Sequence, residues 1–164
     1  ADGGALDVAA RAAPTVGQAA NRAAGAAALA DYRRRKSANS LRTQDAALDL
    51  FARFLADLAG RGRAAAAGAG LDLADLDAAA AAWADLDGAA LATSAATWRG
   101  VTWGIVEAWR SALLQDGYSV ATVNNRLSTI RVYAGLASKA GAVPVDELTL
   151  LKAVGGYGAT EGKR

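Results

Sequence analysis

The chain has no cysteine and no histidine in its 164 residues. Disulfides are therefore excluded, as are zinc sites of the usual Cys/His kind. So is every mechanism that rests on a histidine acid, base or nucleophile. Proline is scarce: Pro14 and Pro144 lie near the two ends and leave the middle free for helices. Methionine is missing too, including an initiator, so the chain is expected to be a piece of something longer. The long apolar runs are alanine, too weakly hydrophobic to span a bilayer. The start, ADGGALDVAA, lacks the basic and then greasy order of a signal peptide. A cytoplasmic protein without membrane contact is expected, and no cofactor or metal is expected.

What the chain has in excess is alanine, the best helix former, which buries little surface per residue. Its length fits one domain plus an appendage. The charges are segregated. Residues 64–98 hold five acids (Asp72, Asp75, Asp77, Asp85, Asp87) and no base. The rest of the chain has 18 bases against 11 acids, a net of +7. Arg33, Arg34, Arg35, Lys36 and Arg42 form a basic cluster. Such asymmetry points to one surface that meets polyanions and another that does not. A merely solvated basic run is the plainer reading.

The clearest helix covers residues 119–141. Val120, Val123, Leu127, Ile130, Ala134 and Ala137 repeat at the spacing of a core-facing stripe. Ser119 is placed to cap its start, and Gly141 to stop it before Pro144. Ala121, Asn125, Ser128, Thr129 and Val132 form the opposite face, with Thr122 beside it, and no acid is among them. Uncharged hydrogen-bonding groups without carboxylates suit an approach to phosphates and base edges. A solvated polar face fits equally well.

Residues 1–16 look frayed. An Ala-rich helix is expected over 18–36, interrupted in quality by Gly25. The next runs from about Ser40 to Ala59, with Leu41, Gln44, Leu48, Phe51, Leu55 and Leu58 inward and Phe54 beside them. Asn39, Arg42, Ala46, Asp49 and Arg53 lie opposite, and Gly60 and Gly62 end it. The segment 61–98 is of low complexity. AAAAGAG reads as a flexible connection, Asp72 caps a short helix carrying Leu73, Leu76, Ala80 and Trp83, and another short piece falls between Gly88 and Ala96. Asp72, Asp75 and Asp77 are read as charges at a helix start. Thr102 caps the helix TWGIVEAWRSALLQDG, with Val106, Trp109 and Leu113 inward. A last short helix covers 146–154, and GGYGATEGKR reads as a linker.

SANSLRTQDAALDLFARFLADL, then VTWGIVEAWRSALLQDGYSVATVNNRLSTIRVYAGLASKAG, resemble the N-terminal core-binding domain, of the SAM-like type, of phage integrases and other tyrosine recombinases. The likeness rests on a Ser/Thr-capped helix with two inward aromatics, a helix ending in Gly, and a following small-x-x-T-[VI]-x-x-R-L-S-x-[IL]-R helix. It covers roughly half of the chain. It implies an all-α, compact SAM-like bundle of four to five core helices with an Ala-rich helical insertion. The implied division is an N-terminal extension at 1–36, a core-binding domain at 37–154 with an acidic insertion at 61–98, and a linker at 155–164. The insertion is longer than the family's usual loop and is expected to pack outside the DNA clamp.

The resemblance also implies function. In that family the domain is half of a clamp around duplex DNA. Asn39, Ser40, Arg42, Thr43 and Ala46 would face DNA from one helix, and Ala121, Thr122, Asn125 and Thr129 from the other. Arg42 would take a phosphate or guanine edge, Asn125 an adenine, and Ser40, Thr43 and Thr122 phosphates. Position 121 carries Ala where relatives often have a longer polar residue. Arg126 and Arg131 sit nearer the apolar stripe and are given structural roles. The family's catalytic half, with its arginines, lysine and nucleophilic tyrosine, has no counterpart here, and Tyr157 lies among glycines. The chain is therefore expected to be no enzyme by itself, to act with a catalytic domain of the same full-length chain, and to self-associate on DNA. The alternative is a helical protein-interaction module.

Overall fold

The computed structural model describes residues 13–69 and 81–158, residues 62–69 by their backbone alone. Within them the chain is all-helical, without a strand. The helices are α1 (Val16–Arg34), α2 (Ala38–Ala69), α3 (Gly88–Thr93), a 3-10 turn (Ala95–Trp98), α4 (Trp103–Gln115), α5 (Val120–Lys139) and α6 (Val145–Lys152). Helix α5 is the hub: α1, α2, the 3-10 turn, α4 and α6 all pack on it. The cap read for residues 72–80, the frayed start up to residue 12 and the last six residues lie outside the described residues.

Local chemistry sets most boundaries. Helix α1 starts at Val16, because Thr15 and Gln18 form a reciprocal capping box: Gln18 N–H donates to Thr15 Oγ1 at 3.1 Å and Thr15 N–H to Gln18 Oε1 at 2.9 Å. Ser37 caps α2, its Oγ accepting from Ser40 N–H at 3.1 Å, so the helix starts two residues before the expected Ser40. Thr102 and Ser119 cap α4 and α5 as the sequence indicates. Gly117 and Gly141 follow those helices with φ of +93° and +84°, a conformation that side chains resist.

Gly60 and Gly62 do not end α2, which runs on through the alanines to Ala69, so AAAAGAG is mostly helical backbone. An interior glycine costs only about 1 kcal/mol relative to alanine. Nothing here requires the chain to turn, and the Asp57–Arg61 ion pair at 2.9 Å staples the turn around Gly60.

The core joins the aromatic residues of four segments. Phe51 packs its ring 5.0 Å from Trp109 and 5.8 Å from Trp98, centroid to centroid. Trp98 and Trp83 are buried and donate their indole N–H to the Leu91 and Thr97 carbonyls at 2.9 and 3.3 Å. The segment 83–98 contributes to the core: Trp83, Gly88, Leu91, Ala92 and Trp98 are buried, and α3 packs on α2. On α5, Val123, Leu127, Ile130, Ala134 and Ala137 are buried as the stripe predicts.

Gly25 proves to be a contact point. A Cβ there would lie 2.7 Å from the Lys139 carbonyl carbon, so its absence lets α1 cross the end of α5. Helix α1 is thereby part of the bundle.

Candidate nucleic-acid interface

The turn between α1 and α2 is short, so the end of one helix and the start of the next form a single corner. Arg34, Arg35, Lys36, Asn39, Ser40, Arg42, Thr43 and Ala46 are all exposed there. Arg34 pairs with Asp31, and Arg35 Nε donates to the Asp31 carbonyl at 3.2 Å. The Lys36 ammonium sits 4.9 Å from the Tyr32 ring centroid. Arg42 makes no hydrogen bond or ion pair among the described residues. These cations stand beside the positive end of the α2 dipole, which favours anions.

The hydroxyls there differ in availability. Ser40 Oγ accepts from Ser37 Oγ at 3.0 Å, which leaves its own proton free to donate. Thr43 Oγ1 donates to the Asn39 carbonyl at 3.2 Å, so it must give up that bond to serve a phosphate. Asp49, further along the same face, accepts from Gly88 N–H at 3.1 Å and holds α3.

The second group lies on the first turns of α5. Ala121 and Asn125 are exposed, and Thr122 is half-buried. The Asn125 side chain has no partner among the described residues. Thr122 Oγ1 lies 2.9 Å from Ser119 Oγ. Thr129 departs from the expected face: it is only 8% exposed. It lies one turn before Tyr133, whose ring meets Tyr32 of α1 edge-on at 5.6 Å. The sequence face was drawn for a helix buried on one side, whereas α5 is covered on several.

A buried polar network ties the two groups together. Arg33 turns inward, donating to both Asp45 oxygens at 2.8 and 3.2 Å and to the Tyr133 hydroxyl at 2.9 Å. Tyr133 donates to Gln44 Oε1 at 3.0 Å, and Gln44 Nε2 donates to the Tyr32 hydroxyl at 2.7 Å. The hydrogen bonds that Arg33 donates to Asp45 hold its guanidinium protonated more firmly than usual. Burial pushes the Tyr133 phenol up, opposed by Arg33. Arg33 thus leaves the basic cluster and serves as a brace. Sequence patterning gave no sign of this, since the partners lie up to 100 positions apart.

Arg126 and Arg131 take structural positions, as expected. The Arg126 guanidinium stacks 4.1 Å from the Tyr118 ring centroid, and Arg131 donates to the Val154 carbonyl. The segment after α6 departs from the linker reading. Arg110 Nη1 donates to the Gly155 carbonyl at 2.6 Å, and its guanidinium lies 4.9 Å from the Tyr157 ring centroid. Asn124 clasps the Tyr157 backbone at both ends. Residues 154–158 are therefore docked, and Tyr157 is held in the fold.

No helix among the described residues is long and apolar enough to cross a membrane. No family model, curated protein or solved structure matches the chain.

Proposed function

We propose that this chain is a DNA-binding module of the core-binding kind, from a site-specific tyrosine recombinase. In this reading it grips duplex DNA at a recombination site and is not catalytic by itself. It works in the cytoplasm beside a catalytic domain of the same full-length chain, and copies associate on DNA. The observation that carries the reading is the α1–α2 corner. Four exposed cations, Arg34, Arg35, Lys36 and Arg42, surround the positive end of α2 there, and the Arg42 side chain has no partner among the described residues. The acid-free start of α5, where the Asn125 side chain has no partner among the described residues, supports base contact from a second element. Thr129, being buried, is left out of the interface.

The test is titration of a labelled duplex at several salt concentrations. Each phosphate contact adds about 0.9 to the slope of log K against log salt, so a handful gives a slope of roughly −3 to −5. Absence of binding at low salt to every duplex tried, including the chain's own recombination site, would falsify the reading.

A further inference from the structure

Helices α5 and α6 leave an open groove of about 380 Å³ between them. Val132, Val145 and Leu148 supply its apolar surface, Lys139 and Lys152 its rim. Val132 is 39% and Val145 74% exposed, two of the few large apolar side chains that the fold leaves uncovered. Gly135 opens the floor: a Cβ there would lie 3.7 Å from both Cε and Nζ of Lys152, so that ammonium hangs over the groove.

Every charged residue lining the groove is a cation. Arg131 is engaged by the Val154 carbonyl, while Lys139 and Lys152 have no ion pair among the described residues. The acids of α6 are elsewhere: Glu147 accepts from Trp103 N–H at 2.7 Å, and Asp146 does not line the groove. Lysines at two helix C-termini are accounted for by the helix dipoles. Uncovered valines between them are not.

We propose that this groove docks a short acidic, aliphatic peptide segment of a partner protein. Its branched side chains would cover Val132, Val145 and Leu148, and its carboxylates would meet Lys139 and Lys152. Charge complementarity selects an acidic ligand. The apolar floor selects a peptide over a nucleic acid, whose sugar-phosphate edge would leave the valines uncovered. This surface is separate from the α1–α2 corner, and its test does not depend on DNA binding.

The probe is a fluorescein-labelled acidic, leucine-bearing peptide whose sequence does not occur in this chain, ELDELLE, titrated into the whole chain at low salt and followed by anisotropy. Saturable binding is expected, weakened about tenfold or more by K139E/K152E and equally by V145D. Val145 and the two lysines are exposed, so circular dichroism should not change; K139E/K152E, which opposes two helix dipoles, should lower the melting temperature only modestly. A peptide with serine in place of each leucine should bind about tenfold more weakly, which separates docking from bare charge attraction. The proposal is overturned if ELDELLE does not bind, if the serine peptide binds as well, or if V145D has no effect. It is also overturned if K139E/K152E weakens duplex binding while peptide binding persists, since the lysines then belong to a nucleic-acid surface.

Discussion

Asn124 holds Tyr157 the way one strand holds another. Tyr157 N–H donates to Asn124 Oδ1 at 2.8 Å, and Asn124 Nδ2 donates to the Tyr157 carbonyl at 3.0 Å. Gly156 permits the approach, since a Cβ there would lie 2.8 Å from Asn124 Cγ. Two residues 33 positions apart thus hold the segment after α6 against α5.

Removing that clasp should free residues 155–158 before it unfolds the domain. Asn124→Ala deletes two part-buried hydrogen bonds, each worth about 0.5–1.5 kcal/mol. Hydrogen exchange at residues 155–158 should accelerate, and chymotrypsin should cut after Tyr157 while the bundle stays folded. Asn125→Ala, next door but without a side-chain partner among the described residues, should leave both measurements unchanged. Equal behaviour of the two variants would mean that the clasp is absent in solution.

The glycines of α1 and α2 should respond to alanine with opposite signs. Gly60 has nothing within 4 Å of an added Cβ, so Gly60→Ala should stabilise by about 1 kcal/mol through helix propensity. At Gly25 the added carbon meets the Lys139 backbone, and overpacking there should cost about 1–3 kcal/mol. Urea melts of the two variants read this directly. Stabilisation by Gly25→Ala would show that α1 does not cross α5 as described.

On α5, core and surface should separate cleanly. Leu127 is fully buried, and Leu127→Ala should cost about 2–5 kcal/mol of folding stability. If the proposed function holds, Asn125→Ala leaves stability alone and costs about 1–3 kcal/mol on the cognate duplex only. Arg42→Ala should weaken binding to all duplexes alike and lower the salt slope by about 1. Unfolding by Asn125→Ala with a harmless Leu127→Ala would mean the helix is oriented wrongly.

Stability should fall in alkali. Burial raises the Tyr133 pKa above its unfolded value of about 10. The folded state then holds the phenolic proton more tightly. The resulting stability is fully present below about pH 10 and is lost as pH rises through the higher folded value. Denaturation melts from pH 8 to 11 should show this decline, and Tyr133→Phe should flatten it while lowering stability at pH 8.

The local parts of this fold were legible in the sequence. The caps Thr102 and Ser119, the stops at Gly117 and Gly141, and the apolar stripe of α5 follow from short-range chemistry, and the structure has them all. Three things needed long-range information. Gly60 and Gly62 carry the signal of a helix end, yet no turn is required there. Trp83 and Trp98 sit in a low-complexity stretch, so their place in the core was hidden by the alanines around them. Thr129 has the pattern of an outer face, yet it is buried, because α5 is packed on by several elements and not on one side alone. Of the residues picked for the site, Asn39, Ser40, Arg42, Thr43, Ala46, Ala121 and Asn125 are exposed and Thr122 half-buried. Their geometry was legible because it depends on helical phase alone.

The brace from Arg33 through Tyr133 to Gln44 has one more consequence. Gln44 neighbours Thr43 on α2, and Tyr133 belongs to the same helix as Asn125, so the corner and the α5 surface cannot tilt independently. An extended ligand bound at one of them meets the other at a fixed effective concentration, without any hinge to order first. Two individually feeble contacts then multiply rather than add. Cutting the brace, for instance with Tyr133→Phe, which removes the hydroxyl's bonds to both Arg33 and Gln44, would weaken such a ligand without touching a single atom that contacts it.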